Sequence, residues 1–425
     1  KMKSTFVLAD VFNDNMVFQA GKPIRIFGKC KKNIDLSFKL LDNEINIKTK
    51  SDTFIVEFPS IDEREASFSV TIQSKKEKIV LYNCVIGDVY LFLGGMNISM
   101  PLKDSYYNQD YDNLSLRFFC CSNIENGWVL TDKTNFENFS ALAYLFSKGM
   151  HEIIKHPIGI VQCSHQDSRI FSWMSNSDIE ASNEIKLLTS KYTNQEKLPL
   201  YGNLKESVVP LQIKAICFYQ GENDYPYFSV YENALRSIIK CLRLDFNDIK
   251  LPIFIIQIAG YNHPEADDYS VSMIRIAQAK IAAEKDDAYL VPAIDFGDPE
   301  MINPKDKHLV AKRLSNVVLE KLYKIGKNNT SPTFFSYQIY PDKITILTKD
   351  NYLNLVSKSG QYLGFSYSLN GIDFYPLEGI TITNNIIEIK KDKDFKELRY
   401  GMKKFPICDI ITSNNLPLLP FQIKF

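Results

Sequence analysis

The hydrophobic period of this chain changes twice along its length, and that change limits the architectures open to it. Between residue 5 and about residue 85, apolar and polar side chains alternate, as in Ile34-Asp-Leu-Ser-Phe-Lys-Leu-Leu41 and Phe68-Ser-Val-Thr-Ile-Gln73. A period of two sets one face of a strand on a core and the other in water. Asp-, Asn- and Lys-rich turns separate these runs at short intervals, the spacing of a small β-sandwich. The middle of the chain is different. Val85-Ile-Gly-Asp-Val-Tyr-Leu-Phe-Leu93, Ile158-Gly-Ile-Val-Gln162, Ala215-Ile-Cys-Phe-Tyr219, Ile253-Phe-Ile-Ile-Gln257 and Ala288-Tyr-Leu-Val-Pro292 are short runs apolar on both faces. Helical patterns lie between them, from Tyr231 to Leu244 and from Met273 to Glu284. Two-sided strands alternating with amphipathic helices predict a parallel sheet covered on both faces. From about residue 331 the alternation returns, in Ile344-Thr-Ile-Leu347, Gly364-Phe-Ser-Tyr-Ser-Leu369 and Ile387-Glu-Ile389. The expected organisation is an N-terminal β-sandwich (1–85), an α/β domain with a parallel sheet (86–330) and a C-terminal β-domain (331–425).

A chain of 425 residues is too long for one ordinary core, which agrees with several domains. Its 50 basic and 50 acidic residues cancel, so no field points to nucleic acid or to an anionic membrane surface. No apolar run reaches the ~20 residues of a membrane span. The 8 cysteines form no CxxC pair, which argues against zinc and against a disulfide framework. Neighbouring Cys120 and Cys121 read as small buried thiols, and a reducing compartment is expected. Met2 reads as the initiator, and no apolar signal core follows Lys1-Met2-Lys3-Ser4, so the expected location is cytoplasmic. No cofactor is expected.

In open parallel sheets ligands bind beyond the carboxyl ends of the strands. The segments after Leu93, Gln162, Tyr219 and Pro292 are therefore where function is sought, and there the chain has distinctive blocks. They are Gly87-Asp-Val-Tyr-Leu-Phe-Leu-Gly-Gly-Met-Asn-Ile-Ser-Met-Pro-Leu102, Pro157-Ile-Gly-Ile-Val-Gln-Cys-Ser164 leading to Trp173, and Phe218-Tyr-Gln-Gly-Glu-Asn223. Another comprises Asp295-Phe-Gly-Asp298, Ile302-Asn-Pro304 and Lys312-Arg-Leu314. Towards the ends stand Phe12-Asn-Asp-Asn-Met-Val-Phe-Gln19 and the set Leu398-Arg-Tyr400, Asn415-Leu-Pro417 and Pro420-Phe421. In this order the blocks resemble those of the sialate O-acetylesterase family within the SGNH hydrolases. The resemblance implies a three-layer α/β/α domain and descent from enzymes that remove O-acetyl groups from sialic acid or related sugars.

Ester hydrolysis of that kind needs a nucleophilic hydroxyl, a His to take its proton, a carboxylate to orient the His, and an oxyanion hole. The resemblance places the family's serine at Met96, its His at Asn303, its Asp at Met301, and the Gly pair of its oxyanion hole at Gln166 and Asp167. A thioether has no ionisable proton, and an amide is no base near neutral pH. The expectation is therefore a degenerate homologue that binds a carbohydrate or acylated sugar through Asn97, Gln166, Gln220, Glu222 and Asn303. The enzyme alternative is an acetylesterase with a rearranged site, for which Ser99 with His165 is the rescue pair. A third alternative is a structural subunit with a protein partner or a second copy of itself.

Each candidate also has an ordinary structural reading. Ser99 fits a capping or solvent-facing helix serine, and Ser164, His165 and Asp167 fit a polar surface loop. His308 fits a solvated helix face, and Asp295, Asp298 and Glu300 fit structural roles better than a hard-metal site. For Gln220, Glu222 and Asp224, ligand contact and loop packing stay equally open.

Overall fold

The computed structural model describes residues 4–107, 115–131, 136–190, 200–349 and 353–425. It divides into two compact units, Lys1–Phe218 with Ser237–Ile253, and Tyr219–Arg236 with Phe254–Phe425.

The first unit is organised by one long strand, Lys78–Gly94, in which every residue from Cys84 onward is buried. Its first half pairs antiparallel with Arg64–Ser74, and Val17–Gln19 lies parallel to it from Val85 to Gly87. Its second half takes Ile158–Ser164 as a parallel neighbour. Leu116–Cys120 then lies parallel to Ile158–Ser164, and Trp128–Leu130 closes that edge antiparallel. Asp35–Leu40 and Asn43–Lys48 extend the antiparallel side, so the sheet is large and mixed. A separate sheet joins Phe6–Leu8, Ile24–Cys30 and Thr53–Phe58. The predicted alternation is visible in both: Leu36, Phe38 and Leu40 are buried, as are Phe54, Val56 and Phe58, while their neighbours face outward. The expected domain boundary after residue 85 falls inside Lys78–Gly94, because the strand serves the antiparallel and the parallel partners without a break.

Close backbone approach explains the first glycine of the Gly87-Asp-Val-Tyr block. A Cβ built on Gly87 would lie 2.0 Å from the Pro157 carbonyl oxygen, and Asp88 N donates to that same oxygen at 3.0 Å. Buried Asp88 then accepts from Gln19 Nε2 at 2.8 Å and from His156 Nε2 at 2.6 Å, with Lys214 Nζ at 3.3 Å.

One expectation is overturned here. Cys121 and Cys163 form a disulfide across a sequence separation of 42 residues, with their Cα atoms 5.1 Å apart. The parallel register sets Gln162 opposite Cys120, so the next residue of each strand is brought face to face. Spacing along the chain carries no trace of that pairing. Cys30, Cys84, Cys120, Cys217, Cys241 and Cys408 are free.

The second unit holds the helices Asp268–Glu284 and His308–Val318 and the strand Ala288–Val291. Arg275, wholly buried, donates to the carbonyls of Ile258, Ala259, Lys403 and Lys404 at 2.7–3.1 Å. Among the described residues the C-terminal strands form two four-stranded sheets, Thr333–Ile339, Lys343–Lys349, Ile386–Lys390 and Ile380–Thr383, then Tyr375–Pro376, Phe365–Ser368, Glu397–Tyr400 and Phe421–Lys424, and a two-stranded one, Leu355–Ser357 with Ile410–Thr412. They share a core that includes Ile344, Ile346, Ile387, Leu398, Tyr400 and Phe421. The molecule is thus a mixed α/β protein with additional C-terminal β-sheets. Among the described residues no helix is long and apolar enough to cross a membrane.

The Gly87 contact is testable. Gly87→Ala should lower the unfolding free energy by ~2 kcal/mol or more in chemical denaturation, because the new methyl meets backbone that cannot swing aside. Gly202, around which a Cβ would meet nothing within 4 Å, is the control. Gly202→Ala lies in the helix Leu200–Ser207 and should be stabilising by about 0.5–1 kcal/mol.

Candidate functional site

In the first unit, Lys78–Gly94 runs out at Gly94, and Gly95 caps a single helical turn, Met96–Ser99. Met96 is half-buried and Asn97 fully buried. Ser99 Oγ donates to the Gly95 carbonyl at 3.2 Å, a bond back along its own helix that occupies the hydroxyl locally. The parallel register places Ser164 beside Gly94, and His165 N donates to the Gly94 carbonyl at 3.1 Å.

Beyond Ser164 the polar side chains do not assemble a triad. Gln162 Nε2 donates to Ser164 Oγ at 3.0 Å. His165 Nδ1 accepts from the Asp167 backbone N–H at 3.2 Å, so the ring meets the Asp167 main chain where a triad requires a carboxylate. Gln166 and Asp167 are exposed. Among the described residues no hydrogen bond joins Ser99 to His165. The ordinary readings of Ser99 and of the 164–167 loop therefore fit this geometry.

The second unit begins at Tyr219, the last residue of the strand Ala215–Tyr219, and the chain continues through Gln220 and Gly221. Gly221 has φ +140°, and a Cβ there would crowd Ile258, Ile274 and the Tyr231 hydroxyl at 3.0–3.1 Å, so only glycine fits the turn. The Gln220 carbonyl accepts from Tyr231 Oη at 2.7 Å and from Gln278 Nε2 at 2.9 Å. Its side chain donates from Nε2 to buried Asp224 Oδ2 at 3.1 Å. Gln220 and Asp224 thus hold the loop together, while Glu222 stays half-buried. Burial first, then the nearby Asp224, pushes the Tyr231 hydroxyl well above its usual range.

The acidic candidates of the last block serve structure. Asp295 receives both Arg313 guanidinium nitrogens, at 2.6 and 2.8 Å, and Arg313 also reaches the carbonyls of Pro292 and Asn415. Asp298 Oδ1 accepts from the backbone N–H of Glu300 and Met301. Among the described residues no group of three or more His, Cys, Asp or Glu could hold a metal ion. His308 opens its helix, exposed, 3.1 Å from Asp306. Met301 and Asn303 are half-buried.

Four residues past Asn303 lies a side chain that the sequence does not single out. Lys307 has no solvent exposure, and its Nζ donates to Asn303 Oδ1 at 3.0 Å. Desolvation lowers its pKa from 10.5 to about 7, against the opposing pull of Glu222 and Asp306. In the run Pro304-Lys-Asp-Lys-His-Leu309 it looks like one more solvated charge, and only its four-residue spacing from Asn303 hints otherwise.

Residues 130–319 match the family described as carbohydrate esterase, sialic acid-specific acetylesterase. The human sialate O-acetylesterase is 23% identical over 405 residues, spanning 82% of this chain and 76% of that protein. Over residues 130–319 the chain is similar to the sialate O-acetylesterase family. The mouse sialate O-acetylesterase is 24% identical over 344 residues, covering 65% of this chain and 62% of that protein. In fold, the molecule is similar to a carbohydrate acetylesterase from Xanthomonas citri, with a TM-score of 0.86 at 20% identity and 99% of each chain covered. The family match takes in residues 164–167, 220–224 and 301–307 and begins beyond Met96.

The buried amine makes a prediction about stability. The unfolded chain holds the Lys307 proton up to its ordinary pKa near 10.5, whereas the folded chain releases it near 7. Between those values the unfolded state binds the extra proton, so stability rises with pH; below 7 the full cost of the buried charge is present. Relative to Lys307→Met, the wild type should gain roughly 4 kcal/mol from pH 6 to pH 10 in urea denaturation. Parallel pH profiles for the two proteins would show that Lys307 keeps an ordinary pKa.

Proposed function

We propose that this chain is a sialate O-acetylesterase homologue that no longer hydrolyses esters by the serine route and retains recognition of a carbohydrate or acylated sugar. The observation that carries the reading is Met96. It stands half-buried at the first position of the turn Met96–Ser99, directly after Gly94-Gly95, where the family resemblance calls for serine. A thioether can neither give up a proton nor form an acyl-enzyme.

The other changed positions agree with it. Asn303 stands where the resemblance calls for His, and its carbonyl is engaged by Lys307. Gln166 and Asp167 present exposed side chains where the family's glycines would leave backbone open to an oxyanion. Ser99, the candidate replacement nucleophile, is engaged with Gly95. On the same reading the parallel strands and their helices form an SGNH-type three-layer domain. Glu222 and Asn303, both half-buried, are the side chains we assign to sugar contact in the second unit. Sialic acid or a related sugar is the ligand class, following the relatives' substrate.

The test is hydrolysis of p-nitrophenyl acetate and of O-acetyl-sialic acid by the wild type, Ser99→Ala and His165→Ala. All three should stay at background while O-acetyl-sialic acid binds saturably. Turnover by the wild type would overturn the reading, and its loss in Ser99→Ala would place the nucleophile one helical turn further on.

A further inference from the structure

A carboxamide has one accepting end and one donating end, and a protonated lysine only donates. A lysine held against Oδ1 of an asparagine therefore decides which way the amide faces. Lys307 Nζ is in that position, 3.0 Å from Asn303 Oδ1, with the lysine itself sealed from solvent. Asn303 is half-buried, and its Nδ2 has no hydrogen-bond partner among the described residues. The donating end of the amide is thus directed away from Lys307. The charged groups acting on Lys307 are Glu222, from the loop after Ala215–Tyr219, and Asp306, from its own segment.

We propose that Lys307 is a positioning residue that locks Asn303 with its amide N–H groups outward, so that this position recognises an accepting carbonyl or carboxylate oxygen of an acylated or acidic sugar. The inference rests on the binding reading above and names the ligand atom that the Asn303 position selects. The lock has a built-in dependence on protonation. As an ammonium, Lys307 can only donate, and its bond to Oδ1 is charge-assisted. As a free amine it can also accept, which lets the Asn303 amide turn over. With a pKa of about 7, Lys307 holds the lock below neutrality and loosens it above.

Three probes separate the two oxygen sources: 9-O-acetyl-N-acetylneuraminic acid, its deaminated and unacetylated analogue that keeps only the carboxylate, and 6-O-acetylglucose. Dissociation constants would be measured calorimetrically at pH 6 and pH 8.5 for the wild type, Lys307→Met and Asn303→Asp. Thermal melts confirm that each variant is folded, and Asn303→Asp keeps an acceptor for Lys307 if Lys307→Met is not. Asn303→Asp turns an outward donor into an outward acceptor and should weaken binding roughly tenfold or more, about one hydrogen bond with reversed sign. Lys307→Met should bind several-fold more weakly than wild type at pH 6 and lose the wild-type difference between the two pH values. Binding of 6-O-acetylglucose without the carboxylate-only analogue would assign the acyl carbonyl, and the reverse would assign the carboxylate. Either variant binding within twofold of wild type, with the wild-type pH dependence, would overturn the inference and leave sugar binding intact. If the wild type binds none of the three probes, the binding reading falls and takes this inference with it.

Discussion

The parallel contact between Lys78–Gly94 and Ile158–Ser164 is the constraint on which the rest of the first unit depends. It begins where Gly87 lets the Pro157 carbonyl approach within hydrogen-bonding distance of Asp88 N, a space that any Cβ would occupy. From there the register runs residue for residue to Ser164 beside Gly94. That register fixes where the strand ends, and so where the turn Met96–Ser99 starts. It also anchors His165 to the Gly94 carbonyl. A slip of one residue would bring a side-chain-bearing residue to the place where Gly87 meets the Pro157 carbonyl, so that close approach holds the register in place.

The buried cations of the second unit show how differently one interior can treat charge. Arg275 and Arg313 each reach several fixed acceptors, carbonyls in one case and a carboxylate with carbonyls in the other. Arg275 is pushed down to about 10 by burial and still stays charged at neutral pH. Such groups pin segments that are distant in sequence, as Arg275 pins Lys403 and Lys404 to the helix Asp268–Glu284. Lys307 has a neutral amide as an acceptor, and its proton comes off near neutrality. A compact ammonium yields to desolvation where a delocalised guanidinium does not. Groups whose charge is poised in this way are more often found at functional sites than in scaffolding.

Much of this was legible in the residue pattern. Asp35–Leu40 and Thr53–Phe58 became half-buried strands, and the two-sided runs Ala215–Tyr219 and Ile253–Ile256 became buried ones, while Ala288–Val291 is buried only at its ends. Ser99 bonds back to the Gly95 carbonyl within its own turn, and His308 is exposed. Asp295 and Asp298 proved to be a guanidinium partner and a turn acceptor. These readings succeed because period and local spacing act over a few residues, and a few residues are what a sequence shows directly. The Cys121–Cys163 bridge was not legible, because it depends on a parallel register between strands separated by a helix.

The sequence by itself determined the order of strand and helix and the side-chain chemistry at Met96 and Asn303, since side-chain type alone decides whether a proton can be given or taken. Only the tertiary structure decided which polar groups lie in water and which do not. Lys305 and Lys307 are two residues apart in one polar run; the first is exposed, and the second is sealed against Asn303. Burial is a property of the whole fold, and it is burial that turns an ordinary lysine into a group able to orient its neighbour and respond to pH.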